Sequence, residues 1–535
     1  MYLTTRNRAV GTNSIYTKEE SPILSIDFGT TNSVIASYIQ SPHKHGAIII
    51  KTQDSLFYPS VALYNKEKDE FLTGSLAYKR RILNSDTIVT SIKRHLLRDK
   101  ISVAGKDFSP ALICQQILCG LLNVVKSSNP NAIPEIITLT HPYYFQQTQN
   151  LLLKNALEKA VFQVFEKKCR VELLPEPIAS ALYLISSLEG QGETTTLIFD
   201  IGGGTFDLSI VHSVVTHSRI ECEVIATGGS DKLGGDDIDQ ILFDYIIRQI
   251  GVDISSYSAK DQLRIKAMLL DAIIQAKCEL TYSYSSDILC RIPLEKGVLD
   301  VQYVITRNIL EDLLIESTDD RMSFVDKLLS CTNNMFVNRS RDQIDRVILV
   351  GGPTRMPIIR RIVTENFSNA TIMWQDNDED VLSVAKGAAL YSAMLQSESY
   401  WPFGNNIKQI SFKSCIPHSI YIEKYDGTLE LLVKRGSICP AKEVKQFRPT
   451  KLSDDGLYLV TSKIPIYQEG EENQYNCVGH VNIPTGRVHT HGRKLDDIII
   501  TLQIVASASL IQVDGMIPQG NADMSNYQFK EIITI

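Results

Sequence analysis

The sequence predicts an α/β body followed by an antiparallel β-sandwich module, and three observations carry that prediction. The stretch ILSIDFGTTNSVIAS at 23–37 is matched in kind by TLIFDIGGGTFDLSIV at 196–211: apolar β-formers, Asp-x-Gly, a tight Gly/Thr turn, then β-formers again. From Ile23 to about Leu395, β-rich runs alternate with helical stretches, which is the pattern of α/β layers. After about Asn405 no helical stretch of this kind remains, and short alternating strands punctuated by turn residues take over.

Taken in chain order, residues 1–21 are polar, Thr/Asn/Arg-rich and free of acids before Glu19; they read as a flexible tail in preference to a targeting segment. The body spans 22–396. Within it IITLTHP (136–142) is strand-like and is followed by a helical TQNLLLKNALEKAVFQVF. RVILVGG (346–352) is a buried strand running into a glycine pair, with a helix from Pro357. The segment 397–414, containing WPFGNNIKQISF, has Pro and Gly but no periodicity and is expected to be an interdomain linker. The module 415–535 contains SIYIEKYDGTLELLVKRGS, GLYLVTSKIPIYQEG and DDIIITLQIVASASLIQVDG, whose strand spacing suits a sandwich.

The bulk properties exclude several function classes. At 535 residues and 59.9 kDa the chain needs more than one core. A net charge of −7 supplies no field that recruits nucleic acid. The apolar runs AIII before Lys51 and IIITL after Asp497 are too short to span a bilayer, so no membrane partner is expected. Ten cysteines occur singly with no C-x-x-C, which argues against a zinc site or disulfide framework. They read as small core residues of a protein in a reducing cytoplasm.

The chemistry sits in the two repeated turns. A Gly/Thr-rich turn coming straight off a buried strand presents backbone N–H groups with no Cβ in the way, a concavity suited to phosphate oxygens. Gly29-Thr30-Thr31-Asn32 adds hydroxyls; Gly202-Gly203-Gly204-Thr205 clears space. Asp27 and Asp200 end their strands where a carboxylate can hold hydrated Mg²⁺. Neither G-x-x-x-x-G-K-[ST] nor a strand-linked G-x-G-x-x-G is present. Two structural hairpins are the bland alternative, but the duplication and a third glycine pair, Gly351-Gly352, favour nucleotide binding.

Read in order, IDFGTTNS, IKR (92–94), THPYYF (140–145), LLPEPIASAL (173–182), FDIGGGTFDLSI, LGGDDID (233–239), LVGGPTRMP (349–357) and GAAL (387–390) make the chain resemble the seventy-kilodalton heat-shock chaperones of DnaK type. These belong to the actin/sugar-kinase ATPase superfamily. The resemblance implies a two-lobed actin-like (ribonuclease H-like) ATPase domain, each lobe giving one phosphate loop to a shared cleft. A β-sandwich peptide-binding domain follows. With EIITI placed about where the last strand should end, no C-terminal helical lid is expected, and peptide release should be fast. It also implies ATP/ADP and Mg as cofactors, unfolded or client polypeptides as partners, a J-domain co-chaperone, a nucleotide-exchange factor and a monomeric state.

Roles follow residue by residue from the resemblance. Asp27 and Asp200 would bracket Mg²⁺ through water. Gly29, Thr30, Thr31, Asn32, Gly202, Gly203, Gly204 and Thr205 would cradle the phosphates, with Gly229 among the nucleotide-binding positions. Lys93 would reach the γ-phosphate, Glu176 would orient the attacking water, and Asp207 would support them. Lys277, Thr281, Gly351, Gly352 and Arg355 fit the adenosine side, where Ile274 replaces a family Glu, Pro353 replaces a small residue and Cys278 completes the helix face. Ile420, Ile422 and Tyr425 would line the peptide cleft, although alternating Ile is also the inward face of any sandwich.

Two departures bear on communication between the domains. The linker reads Ile410-Ser411-Phe412-Lys413-Ser414, less apolar than in the family, and weak docking is expected from it. Asn150 stands where the family carries a coupling Arg. An ATP-driven peptide-binding chaperone is therefore the leading reading. A nucleotide-dependent scaffold or pseudo-chaperone with weak cycling is the alternative. A specialised HscA-like chaperone in iron–sulfur cluster assembly is another, suggested by the short stretch between Lys93 and Ala111, which is similar to that of the HscA and HscC branches. A small-molecule kinase of the same superfamily is disfavoured by the C-terminal β-module.

Overall fold

The computed structural model describes residues 22–534 apart from 42–43, 53–54, 82–86, 131–132, 144, 146, 188–191, 217–218, 231, 318–321, 338, 375–378, 397–408, 414–415, 417–418, 425, 436, 438–440, 449–461, 470–474, 484–498, 507–509 and 518–526. Two six-stranded sheets dominate the body. In the first, Ile23–Phe28 pairs antiparallel with Asn32–Ser41, which pairs antiparallel with Lys44–Ile49. On its other side Ile23–Phe28 runs parallel to Ile136–His141, and that strand runs parallel to Arg170–Pro175.

The second sheet repeats the arrangement. Gly192–Ile201 pairs antiparallel with Phe206–Val215 and that with Arg219–Ser230. Gly192–Ile201 also runs parallel to Arg346–Val350, and that to Thr371–Met373. Strand order and strand sense therefore match between the two sheets. The doubled motif of the sequence is a doubled fold unit, with its Asp-containing strand at the same place in each.

Burial follows from that layout. Strands flanked on both sides by other strands and covered by helices read as nearly continuous apolar runs: Leu24, Ile26 and Phe28 in one sheet, Leu197, Phe199 and Ile201 in the other, are fully or almost fully buried. Each sheet has its own apolar cluster, one reaching into the helices Gly235–Gln249 and Ala259–Leu280, the other into Pro110–Ser128 and Gln147–Phe165. Between the sheets lie the helices Glu176–Ser187 and Glu379–Gln396, which pack on each other. Their crossing is close because Gly387 lies against the Ala179 backbone; a Cβ there would collide with the Ala179 carbonyl. Ser25 and Ser392 fix the second of these helices by donating to the carbonyls of Ala385 and Leu24, at 2.7 and 2.9 Å.

One helix departs from the expectation that the chain has no membrane-length apolar segment. Pro110–Ser128, 19 residues, is long and apolar enough to cross a membrane by length and composition. Its polar Gln115, Gln116 and Asn123 break the run that the eye follows in the sequence. Ile113, Cys114, Ile117, Leu118, Leu121 and Leu122 are buried in the first sheet's core. The cysteines also divide: Cys114, Cys119 and Cys222 are buried, whereas Cys278 and Cys477 are exposed.

The C-terminal module contains two four-stranded antiparallel sheets. One is Leu429–Val433, Ile420–Glu423, Ser462–Glu469 and Tyr475–Ile483 in spatial order; the other is Ala441–Phe447, Ile500–Ala506, Leu510–Ile517 and Tyr527–Thr534. Their inner faces share a core of Ile420, Ile422, Val433, Ile466, Val481, Leu502, Ile504, Ile511 and Val513. Part of the segment read as a linker is itself a strand. Gln409–Lys413 pairs parallel with Arg219–Ser230 and extends the second sheet. The expectation of weak docking counted apolar side-chain area. Main-chain pairing at a sheet edge depends little on which side chains are present.

Candidate functional site

Both Asp-containing strands end at the same cleft. Gly29 needs to be glycine because a Cβ would strike the Asn32 carbonyl across the first turn. The second turn is closed by the Gly202 N–H donating to the Thr205 carbonyl at 2.8 Å. The two turns face each other: a Cβ on Gly203 would land on the Thr31 hydroxyl, and one on Gly204 would lie 2.6 Å from the Thr30 Cγ2. Glycine at 203 and 204 thus lets the two turns approach closely, with Thr31 against Gly203 and Thr30 against Gly204.

Four carboxylates and a lysine converge behind these turns. The Lys93 ammonium donates to Glu176 Oε1 at 2.8 Å, with both side chains largely buried. Lys93 lies on the short 3₁₀ turn Ile92–His95, entered through Ser91 in the left-handed region at φ 52°. Glu176 begins the helix Glu176–Ser187. Asp27 accepts from the Thr140 hydroxyl at 3.0 Å. Burial, then the nearby Glu176 carboxylate, raise the Asp27 pKa to about 7 against the pull of Lys93. Asp207 is raised well above the ordinary carboxylate range by burial, with Glu176 and Asp200 adding to the rise and Lys93 and Thr205 opposing it.

This charge balance bears on the metal. Burial strips Asp27 and Asp207 of water, with the Glu176 carboxylate beside both, Lys93 opposing it and Asp200 beside Asp207. Among the described residues no three carboxylate, His or Cys side chains group closely enough to hold an ion directly, so these hard oxygens suit a divalent cation of the Mg²⁺ kind that keeps its waters.

The rest of the cleft is built by the second lobe. Gly351, at φ 89°, lies where a Cβ would meet the Ile201 carbonyl and come within 2.9 Å of Asp200 Oδ1. Gly352 faces open space. Gly235, at the start of Gly235–Gln249, brings Lys277, Pro353 and Gly203 together: its Cβ would lie 3.4 Å from Lys277 Nζ, 3.4 Å from Pro353 Cγ and 3.6 Å from Gly203 Cα. Lys277 pairs with Asp239 at 2.7 Å and donates to the Gly235 carbonyl at 3.1 Å. Ile274 and Arg355 are half-buried, and Cys278 is exposed.

The remaining expected positions have the following surroundings. Gly229 is held in the strand pair opposite Asp207, at φ 134°, where a Cβ would strike the Phe206 carbonyl; both its backbone conformation and its packing require glycine. Thr281 closes its helix and its carbonyl accepts from Arg307 at 3.3 Å. Ile420 and Ile422 are 1% and 0% exposed in the sandwich core, so they line no open cleft in this structure. The inward alternation of a half-buried strand puts them there. Tyr425 lies outside the described residues.

Residues not singled out for a role bridge the cleft. Ser91 donates to Asp236 Oδ2 at 2.8 Å, and Arg94 donates to the Gly204 carbonyl and to Asp237. Farther out, Arg81 pairs with Asp271 and stacks on Tyr78, its guanidinium carbon 3.4 Å from the ring centre. Ser91 and Arg94 flank the Lys93 motif and Asp236 and Asp237 lie inside LGGDDID, so the motifs marked the neighbourhood but not the pairing.

The Hsp70 protein family model matches residues 98–474. Chaperone protein DnaK of Thermosipho melanesiensis is 32% identical over 434 residues, 79% of this chain and 67% of that protein. Chaperone protein DnaK of Thermosipho africanus is 31% identical over 455 residues, covering 83% and 70% of the two chains. That of Thermotoga maritima is 30% identical over 454 residues, with the same coverages.

Proposed function

The chain belongs to the Hsp70 family, and on that premise we propose that it is an ATP-dependent chaperone. In this reading it hydrolyses ATP to ADP and phosphate between its two turns, and its sandwich holds extended apolar segments of client polypeptides. The observation that carries the reading is the Lys93–Glu176 pair set behind two facing glycine turns, each running off a buried strand whose penultimate residue is Asp.

The chemistry asked of the protein is positioning and charge neutralisation. Thr30, Thr31 and the backbone of Gly202–Thr205 hold the terminal phosphates by hydrogen bonds. Asp27 and Asp200 would hold Mg²⁺, which when bound would supply positive charge beside the phosphate oxygens. Lys93, oriented by Glu176, places a second positive charge where negative charge grows in the transition state. Glu176 orients the attacking water and accepts its proton, with Asp207 beside it in support. Lys277 and the Gly351-Gly352 turn bound the nucleoside end.

A scaffold reading with weak cycling has one observation in its favour. Asn150 is 8% exposed, and its Oδ1 has no hydrogen-bond partner among the described residues. A buried amide oxygen is a poor stand-in for a long cationic side chain that carries a signal along a helix. The deciding experiment follows phosphate release from Mg·ATP together with binding of a labelled apolar heptapeptide. The chaperone reading expects Mg²⁺-dependent hydrolysis and peptide affinity that changes between ATP and ADP. Peptide affinity indifferent to the nucleotide favours the scaffold, and absence of hydrolysis rejects the ATPase.

A further inference from the structure

We propose that Arg94 is a positioning residue that completes the second phosphate loop only when the two lobes are closed; the proposal rests on the ATPase reading above. Three consecutive carbonyls of that loop are held from outside it. The Gly202 carbonyl accepts from the Gly235 N–H at 3.0 Å, and the Gly203 carbonyl from the Asp236 N–H at 2.6 Å. The Gly204 carbonyl accepts from Arg94 Nε at 2.8 Å and from its Nη2 as well. A trans peptide is planar, with its C=O and N–H pointing in opposite directions. Pinning these three carbonyls therefore fixes the N–H groups of Gly203, Gly204 and Thr205, the donors an anion would use.

The three tethers differ in origin. Gly235 and Asp236 belong to the same lobe as the loop, so two of the carbonyls are held whatever the other lobe does. Arg94 comes from the first lobe, 110 positions away in the chain, and its hold on Gly204 exists only across the closed cleft. Its direction is set by Asp237, whose Oδ2 accepts from Arg94 Nη2 at 2.9 Å and from the Gly234 N–H at 2.8 Å. Ser91, bonded to Asp236 at 2.8 Å, anchors the start of the same turn. Because Arg94 follows Lys93 directly, one short turn delivers the catalytic ammonium and aims the Thr205 N–H in the same movement.

The test is single-turnover hydrolysis of preloaded Mg·ATP, beside equilibrium binding of a fluorescent ATP analogue and thermal unfolding without nucleotide. It compares the unmodified protein with Arg94→Ala, Arg94→Lys and Asp237→Asn. Mis-aiming one donor of an oxyanion-type site costs about tenfold or more in rate, so Arg94→Ala should hydrolyse at least ~10-fold more slowly while its ATP affinity changes by less than ~3-fold. Arg94→Lys keeps one donor for the Gly204 carbonyl and should recover part of the rate. Asp237→Asn keeps the cap on Gly234 but loses the charged partner of Arg94, and should fall between Arg94→Ala and the unmodified protein. An Arg94→Ala rate equal to that of the unmodified protein overturns the assignment. So does a loss of rate matched by an equal loss of affinity, the mark of a merely structural residue. If Arg94→Ala does not fold, an unchanged rate in Asp237→Asn overturns it. An unmodified protein that hydrolyses no ATP rejects the ATPase reading and this inference together; an active one matched by Arg94→Ala rejects the inference alone.

Discussion

Asp27 shows how the site stores charge that the protein alone does not balance. Its pKa of about 7, against an ordinary 3.8, means that the folded chain holds this proton more tightly than the unfolded chain does. The stability this gives is fully present at low pH and is lost as pH rises from about 4 through about 7. Asp207, raised for the same reason, acts in the same direction. The nucleotide-free protein should therefore unfold at a lower temperature as pH rises through about 7, and Asp27→Asn should flatten that decline. A thermal midpoint whose pH dependence is the same in both proteins would show that Asp27 is already ionised. Single residues were the least legible scale. Lys93 and Glu176 stood out only because of the motifs around them, since a lone Lys or Glu between prolines is ordinarily solvated. Arg94 could not be read, because its partners lie 110 and 143 positions away and chain order gives no distance.

At the scale of elements the two glycine turns make a sharper prediction. Gly203 has an ordinary backbone conformation, so alanine is tolerated there by the local chain; what forbids a Cβ is Thr31 in the opposite lobe. Gly203→Ala should fold normally yet lower ATP affinity by roughly 10-fold or more, since a methyl group of this size props the turns apart. Thr31→Gly in the same chain should restore part of that loss, a coupling that a double-mutant cycle reads directly. Additive losses would place the turns farther apart than described. The strand Gln409–Lys413 makes a second prediction. Its pairing with Arg219–Ser230 is main-chain only in its requirements, so Ile410→Pro should speed amide exchange in both strands by about 10-fold or more while sparing Ile23–Phe28. Equal exchange in the two proteins would mean that this edge is open in solution. Strands and turns of the body were legible because apolar runs ended in Asp-x-Gly. The linker strand was not, because its partner is an edge that forms only after the lobe has folded.

For the whole molecule, the repeated sequence motif became a repeated topology. The matching order of the two sheets is what brings Asp27 and Asp200 to one cleft. The duplication pointed to two nucleotide-binding turns, and the family resemblance implied that two lobes share one cleft. The tight crossing of the two helices between the lobes was not legible in the sequence, since GAAL gives no sign that Gly387 meets Ala179. A ligand gripped by both lobes stabilises the closed arrangement by mass action, about 2.7 kcal/mol at a hundredfold excess over its dissociation constant. The central claim is that the two turns and the lysine behind them form one ATP-hydrolysing site. It is tested most directly by single-turnover phosphate release from bound Mg·ATP in the unmodified protein and in Lys93→Ala, at matched nucleotide occupancy. The account predicts retained binding and a rate lower by roughly 10²- to 10³-fold in Lys93→Ala, because the ammonium acts chiefly on the transition state. Equal rates in the two proteins, with binding intact, would contradict it.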